Sequence, residues 1–435
     1  MSDIMSRRRF LKLSGAGSVF AASTLSTIMS GCARAETTRP NVILIMVDDM
    51  GYECLSSYGS TSYETPELDK LAANGMQFNH CYSQPLCTPS RVKIMTGKYN
   101  FRNYTEFGAL HPDERTFGHM MQDAGYTTCV AGKWQLAARN DGIGTYPNEA
   151  GFDEYCLWQI DEREGRFADP LINTNSLQAE LREGEYGPAI FTDFINEFMD
   201  QNQENPFFVY YPMALVHSPF VPTPDSEEWQ EDRHQQHTKF FADMVAYMDK
   251  IVGQIVNKVS DLGLEENTLI LFTSDNGTHR NISSKLGDCI IYGQKGIPTD
   301  WGTRVPFIAS WPGVTPQGVG NEDLIDFSDF MPTIAEVTGA TLPQNEPIDG
   351  VSFAPQLRGE QGTPREFMYC YYHPRWGNWE PSEFVRDKRW KLYKDGRLFD
   401  IQTDPQEKLP IGESSTTVES REARERLQAV LDTIR

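Results

Sequence analysis

Residues 41–49 read Asn-Val-Ile-Leu-Ile-Met-Val-Asp-Asp, an apolar run that stops abruptly at two aspartates. A run in which apolar and polar residues do not alternate is typical of a parallel strand that is covered on both faces. The stretch therefore predicts a central strand with Asp48 and Asp49 at its carboxyl end.

Two further apolar runs, 207–211 and 269–273, predict strands of the same sheet. Between them, apolar residues recur three and four apart over 241–262, which predicts a long helix that ends at Gly263. A strand, a helix and a strand in this order predict an α/β fold with a mostly parallel central sheet flanked by helices.

Shorter elements complete the predicted layout. Thr65 is expected to cap a helix that begins at Pro66. Near the end of the chain, β-like segments at 390–393 and 397–399 precede a surface helix over 419–435. These last elements predict a small C-terminal α+β subdomain.

The N-terminus has the composition of an export signal. Residues 6–12 read Ser-Arg-Arg-Arg-Phe-Leu-Lys, a twin-arginine pattern, and a weakly apolar stretch interrupted by glycine and serine follows. Gly31 and Cys32 resemble a lipoprotein processing site, which would leave a lipidated Cys32 as a membrane tether. The alternative is a simple cleaved signal peptide, with Cys32 removed. In both cases we expect an exported protein, in the periplasm or at the outer membrane or cell surface.

Charge and cysteine content exclude several classes of function. The formal net charge of −22 argues against a nucleic-acid partner, and an anionic substrate would have to meet a locally basic pocket. The eight cysteines include no Cys-x-x-Cys pair, so neither a zinc site nor a dense disulfide framework is predicted. Without Cys32 the count is odd, which singles out one thiol.

Polar residues follow two of the predicted strands. Asp48 and Asp49 follow the first, and Asp275 and Asn276 follow the strand at 269–273. In open α/β sheets, ligands collect at the carboxyl ends of strands. Three carboxylates and an amide suit a hard cation such as Ca²⁺ or Mg²⁺ far better than zinc.

A cysteine motif lies between these groups. Residues 87–91 read Cys-Thr-Pro-Ser-Arg, and Pro89 and Ser90 predict a turn that opens a helix over 91–97. Cys87 would then face the positive end of that helix, where an anion is stabilised.

This Cys-x-Pro-x-Arg arrangement resembles the signature of the sulfatase family, in which the cysteine is oxidised to formylglycine. The resemblance extends over residues 40–410. The motifs that carry it are Val47–Gly51, Cys87–Arg91, 95–99, 124–128, 132–134, 217–219, 273–277, 295–296, 302–306, 398–400 and 404–405.

The resemblance implies an alkaline-phosphatase-like fold and the hydrolysis of sulfate esters, and the predicted export favours sulfate esters of carbohydrates. It also implies a formylglycine-generating or anaerobic sulfatase-maturing enzyme as a partner. Taken with the patterns above, the predicted segments are a signal peptide at 1–31, a tether at 32–39, a catalytic domain at 40–345 and the C-terminal subdomain at 346–435. The resemblance also implies a role for each site residue. A cation, usually calcium, would be bound by Asp48, Asp49, Asp275, Asn276 and modified Cys87, and the sulfate by Arg91, Lys133 and Lys295. Asp275 would act as the base, and His217, assisted by Lys295, would protonate the leaving group.

Two segments depart from the family pattern. Gln135 stands where the family commonly has histidine, and glutamine cannot accept the proton that drives release of sulfate. Our hypothesis is that His279 or water takes that role. Residues 300–302 read Asp-Trp-Gly instead of Glu-Gly-Gly, so Trp301 either narrows the pocket or packs in the core. Arg304 is a further candidate substrate contact.

Two alternative functions remain open at this point. Relatives with the same nucleophile and metal arrangement act on phosphorus, so the chain could hydrolyse phosphodiesters or phosphonate monoesters. Gln135 also leaves room for a lectin-like lipoprotein that binds sulfated glycans without cleaving them.

Overall fold

Sixteen strands and eleven α-helices occur among the described residues. The computed structural model describes residues 39–138, 142–158, 160 and 165–434, so the predicted signal peptide and Cys32 lie outside it. The strands are β1 (Asn41–Val47), β2 (Met76–Tyr82), β3 (Thr127–Lys133), β4 (Glu154–Trp158), β5 (Leu171–Thr174), β6 (Glu180–Leu181), β7 (Phe207–Pro212), β8 (Thr268–Ser274), β9 (Ser283–Leu286), β10 (Cys289–Tyr292), β11 (Arg304–Ser310), β12 (Val319–Asp326), β13 (Met368–Tyr372), β14 (Ser382–Arg386), β15 (Trp390–Tyr393) and β16 (Leu398–Asp400).

Helices pack on both faces of the central sheet and in the C-terminal subdomain. They are α1 (Pro66–Ala73), α2 (Cys87–Thr96), α3 (Asn100–Asn103), α4 (Phe117–Asp123), α5 (Gly187–Asn202), α6 (Trp229–Asp232), α7 (Phe240–Asp261), α8 (Asp300–Thr303), α9 (Phe330–Thr338), α10 (Ala354–Leu357) and α11 (Val418–Thr433). Among the described residues, no helix is both long and apolar enough to cross a membrane.

A ten-stranded sheet lies at the centre, in the order β12-β2-β11-β8-β1-β7-β3-β4-β5-β6. Strand β1 is parallel to both of its neighbours, β7 and β8. The predicted mostly parallel α/β fold is therefore confirmed. The antiparallel insertion of β11 between β2 and β8 is a feature that the sequence analysis did not predict.

Both faces of the sheet are buried. Successive side chains of a strand point to opposite faces, and in β1 Ile43 and Ile45 pack in one apolar core while Val42 and Leu44 pack in the other. Helices α1, α5 and α7 supply the first core, and α2, α4 and α9 supply the second. This double burial is the physical reason for the unbroken apolar run.

Helix α1 begins at Pro66 as predicted but is capped differently, and helix α2 begins earlier than predicted. Thr65 makes no side-chain capping bond to α1; instead, Asp249 of α7 accepts the backbone N–H groups of Glu67 and Leu68 at 3.0 and 2.9 Å. Helix α2 begins at Cys87 rather than at Arg91. Pro89 is tolerated in its first turn because the N–H groups there have no partner within the helix.

The C-terminal subdomain is built as predicted, from a small antiparallel sheet and a helix. Its strand order is β13-β14-β15-β16. The buried Ala423 and Leu427 of α11 pack in one apolar cluster with Val385 of β14 and Leu392 of β15.

Candidate active site

The carboxyl ends of β1 and β8 bring four polar side chains together in the interior. Asp48, Asp49, Asp275 and Asn276 all have 0% exposure. The backbone N–H of Asp49 donates to Oδ1 of Asp275 at 3.1 Å, and Nδ2 of Asn276 donates to Oδ1 of Asp49 at 2.9 Å. Asp49 has a φ of 64°, a strained conformation for a residue with a side chain. The fold thus holds these residues in a fixed cluster.

Cys87 joins this cluster from the other side. As the first residue of α2 it is 1% exposed, and its sulfur and one carboxylate oxygen each from Asp48 and Asp275 all lie within 4.8 Å of one another. Burial raises the pKa of the Cys87 thiol. The structure therefore places the predicted cysteine beside the predicted carboxylates.

Three basic side chains neutralise the carboxylates. Lys133 Nζ lies 2.5 Å from Oδ2 of Asp48, and Lys295 Nζ lies 2.6 Å from Oδ2 of Asp49. Arg91 Nη2 donates to Oδ2 of Asp275 at 3.1 Å. These contacts place three cationic side chains in the site, the groups that an acidic protein needs if it is to bind an anion.

The backbone before Lys133 requires a glycine. Gly132 has a φ of 122°, and a Cβ atom there would lie 2.1 Å from the carbonyl oxygen of Pro212 in β7. Because β3 and β7 approach closely, Lys133 reaches the end of β1. Packing of these two strands therefore explains why glycine precedes Lys133.

His217 follows β7 and lies at the edge of the cluster. Its Nε2 is 3.7 Å from Oδ2 of Asp49. Its Nδ1 is 3.0 Å from Nη1 of Arg166 and 2.5 Å from the carbonyl oxygen of Ser218. A guanidinium only donates and a carbonyl only accepts, so the tautomer of the ring decides which of these two bonds forms. The sequence analysis missed Arg166, which lies in a charge-rich segment typical of solvent-exposed loops.

The cluster has the properties of a cation site. Oδ1 of Asp48 and Oδ1 of Asn276 are buried and have no hydrogen-bond partner within the described part of the chain. Burial by itself raises the pKa of Asp48, but Lys133, His217 and Arg91 hold it well below its usual value. Burial, and then the charge of Asp48, raise the pKa of Asp275 to about 8. Repulsion between carboxylates and unsatisfied oxygens are both relieved by a hard divalent cation.

Gln135 and His279 are two further residues that the sequence predicts for the site. Gln135 is 7% exposed, has a φ of 58°, and its Oε1 has no hydrogen-bond partner among the described residues. His279 accepts the backbone N–H of Asn281 at 3.2 Å and packs edge-on against Phe220. Within the described ranges, no hydrogen bond or ion pair joins His279 to the carboxylates.

Trp301 and Arg304 surround Tyr52. Trp301 is 7% exposed and packs with Tyr52 and Ile291 in a small apolar cluster, the core position that the sequence left open. The guanidinium of Arg304 lies 4.3 Å from the Tyr52 ring centre and 3.8 Å from Asp300. The contacts of both residues are thus with this cluster and Asp300.

Comparisons with known proteins identify relatives of this chain. The chain is 32% identical over 383 residues to arylsulfatase A of Homo sapiens, covering 80% of this chain and 73% of that protein. It is 31% identical over 370 residues to N-acetylgalactosamine-6-sulfatase of Canis lupus familiaris, covering 76% and 68%.

Solved structures share the fold. One, described as a complex with its substrate D-glucosamine-2-N,6-O-disulfate, has a TM-score of 0.73 at 21% identity and covers 91% of this chain and 98% of its own. A phosphonate monoester hydrolase of Agrobacterium radiobacter has a TM-score of 0.67 at 18% identity, covering 91% and 95%. The fold alone therefore does not separate sulfur from phosphorus chemistry.

Two family models also match the chain. Residues 40–340 match the sulfatase family, and residues 294–433 match the family described as N-sulphoglucosamine sulphohydrolase, C-terminal. The chain therefore belongs to the sulfatase family of sulfuric ester hydrolases.

Proposed function

We propose that this protein removes sulfate from a sulfated carbohydrate, with formylglycine derived from Cys87 as its nucleophile. The observation that carries the proposal is the position of the Cys87 sulfur, which lies with oxygens of Asp48 and Asp275 inside a 4.8 Å cluster. A thiol that only filled apolar space would have no reason to lie beside two buried carboxylates.

Asp48, Asp49, Asp275 and Asn276 would hold a divalent cation, for which we propose calcium. The donor set supports a hard cation, because oxidation of Cys87 replaces its sulfur with oxygen and leaves oxygen ligands alone. When bound, the cation and the hydrated formylglycine supply charge neutralisation and a hydroxyl nucleophile, respectively.

The basic side chains of the site would bind the sulfate group. A sulfate monoester resists attack because its oxygens repel an incoming nucleophile, so fixed positive charge must be in place first. Arg91 and Lys133 are buried, Lys295 is partly buried, and all three are already oriented by Asp275, Asp48 and Asp49, respectively. Because these side chains are held before substrate arrives, little reorganisation accompanies binding. Asp275 would act as the base that removes the proton of the nucleophile.

His217 and Lys295 would together protonate the departing alcohol, with the charged Lys295 as the source of the proton. Burial, and then the charge of Lys295, lower the pKa of His217 to about 3, so its ring is neutral at neutral pH. When Arg166 donates to Nδ1, the single ring proton lies on Nε2, the nitrogen that faces Asp49. A neutral imidazole in this tautomer can hydrogen-bond to the leaving oxygen as its charge develops.

Mass spectrometry and a sulfate-release assay test the proposal together. The full chain is expressed with a formylglycine-generating enzyme, and the peptide that contains Cys87 is weighed before the protein is assayed on sulfated mono- and oligosaccharides with calcium. We expect oxidised Cys87 and sulfate release, with neither in the Cys87→Ala variant. An unmodified thiol together with tight binding of sulfated glycan would instead favour the lectin-like function.

The choice between sulfur and phosphorus needs a second assay. We expect the matured protein to hydrolyse an aryl sulfate faster than the corresponding aryl phosphonate monoester. Faster turnover of the phosphonate would overturn the proposed reaction while leaving the proposed nucleophile intact.

We further propose that the chain is exported through its twin-arginine signal and anchored by a lipid on Cys32. Support comes from the sequence pattern at 6–12 and the Gly31-Cys32 pair. Replacing Arg7 and Arg8 with lysine should retain the protein in the cytoplasm, and Cys32→Ser should release it from membranes. Unchanged fractionation of both variants would remove the proposal.

A further inference from the structure

Arg166 is a positively charged residue at the rim of the candidate active site. It lies between β4 and β5, and its guanidinium carbon stacks 4.2 Å from the ring centre of Trp158. On its other side, Nη1 lies 3.0 Å from Nδ1 of His217. The side chain is partly buried, so it is held in place yet open to a ligand.

Arg166 differs from the other cations of the site in its partners. Each of the other three has a carboxylate within 3.1 Å. Among residues 39–138, 142–158, 160 and 165–434, no ion pair involves Arg166. Burial lowers the pKa of Arg166, and Asp48 and Asp49 offset this only in part.

A guanidinium that is partly out of water and has no ion-pair partner among the described residues costs free energy. Stacking on Trp158 offsets a share of that cost. The remainder is relieved when an anion binds, and a planar guanidinium matches a sulfate or carboxylate with two parallel hydrogen bonds.

The position of Arg166 indicates which part of the substrate that anion belongs to. His217 presents Nε2 to Asp49 and Nδ1 to Arg166, so the imidazole ring separates Arg166 from the carboxylate cluster. The scissile sulfate would bind on the cluster side. Arg166 therefore lies on the side of the departing alcohol.

We propose that Arg166 is a specificity-determining residue that binds a second anionic group, a sulfate or a carboxylate, on the sugar that leaves. This inference rests on the proposed sulfatase function and narrows it. The preferred substrate is then a sugar that carries two anionic groups, of which only one is hydrolysed at a time.

The test compares two sugars that differ in one sulfate, N-acetylgalactosamine 6-sulfate and N-acetylgalactosamine 4,6-disulfate, alongside glucosamine 2-N,6-O-disulfate. For the matured wild type and the variants, kcat/KM is measured for sulfate release. Binding is measured by calorimetry in the Cys87→Ser background, which does not depend on maturation. We expect the wild type to prefer disulfated sugars. Arg166→Gln should reduce the ratio of kcat/KM for the disulfated sugar to kcat/KM for the monosulfated sugar by about tenfold or more.

Two further variants separate local recognition from general charge. Arg166→Lys should keep part of the preference, since it keeps the charge but loses the planar fork. Arg280→Gln is the matched control. It removes the same charge from another arginine, which donates to the carbonyl oxygen of Lys295 and stacks on Trp379. It should leave the ratio nearly constant.

Two results would overturn the proposal: no preference in the wild type, or an equal loss in Arg166→Gln and Arg280→Gln. Failure of the proposed function looks different. In that case the matured wild type releases no sulfate from any of the sugars, whatever the binding ratio in the Cys87→Ser background.

Discussion

Lys93 Nζ lies 2.7 Å from Oδ2 of Asp326, and both side chains have 0% exposure. Lys93 also donates to the carbonyl oxygen of Tyr369 at 3.1 Å. It therefore joins helix α2, which carries Cys87, to the end of β12 and to β13 of the C-terminal subdomain. The nucleophile helix is fixed by a contact that takes no part in the chemistry.

Lys93→Met should lower the free energy of unfolding by about 3–5 kcal/mol, because it leaves the Asp326 carboxylate buried without its partner. Urea denaturation measures the change. The double variant Lys93→Met/Asp326→Leu should recover part of the loss, since no isolated charge remains. A double variant no more stable than the single one would contradict this account.

Asp249→Ala should lower the free energy of unfolding by about 1–3 kcal/mol, because Asp249 accepts two N–H groups at the start of α1 that Thr65 does not cap. Thermal unfolding of the full chain measures this. Asp261→Ala, an exposed position on the same helix α7, is the matched control and should change little. Equal effects of both substitutions would remove Asp249 as the cap of α1.

Removal of the cation should make stability depend on pH through Asp275. The pKa of Asp275 is raised to about 8 by burial and then by Asp48, against about 4 in an unfolded chain. Because the folded protein binds this proton more tightly, its contribution to stability is present at low pH and is lost as pH rises toward 8. Chelator-treated protein should therefore melt at a lower temperature at pH 9 than at pH 6.

Calcium should reverse this loss, and its stabilising effect should grow with pH. The pKa values of Asp48 and Asp49 are lowered, so these residues titrate below this range and add no slope. Asp275→Asn is the matched control and should abolish most of the pH dependence. A flat melting profile in the chelated wild type would contradict the prediction.

His279→Ala should lower kcat by about 100-fold if His279 accepts the proton that Gln135 cannot. Steady-state kinetics on the matured protein check this, with the exposed His237→Ala as control. Adding Gln135→His to the His279→Ala variant should restore turnover, because it puts a titratable ring where the family has one. Unchanged turnover in His279→Ala would remove this residue from the mechanism.

The strands that carry the site could be predicted because two requirements shape their sequence: burial on both faces and polar site residues at the carboxyl end. Strand β1 is buried on both faces, so its residues are apolar without interruption, and Asp48 and Asp49 stand out where it ends. The same holds for β8 and Asp275. Convergence of these residues then follows from parallel pairing of the strands.

Other features could not be predicted because their partners are distant in sequence. Asp249 caps a helix 181 residues away, at Leu68, and its own position on α7 looks like any polar residue of a helix. Arg166 gave no signal, since its role depends on Trp158 and His217 rather than on neighbours in a motif. The start of α2 was misplaced because Pro89 was interpreted as a boundary.

Burial of Cys87 also sets an order of events during biosynthesis. The proposed oxidising enzyme could not reach a side chain that is 1% exposed, so it would have to act on the nascent or unfolded polypeptide. Purified, folded protein offered to a maturing enzyme should keep its thiol, whereas denatured chain or a peptide spanning residues 80–100 should be converted. The proposed twin-arginine route carries folded chains. Oxidation would then come first, folding second and translocation last, and the first two steps would take place in the cytoplasm.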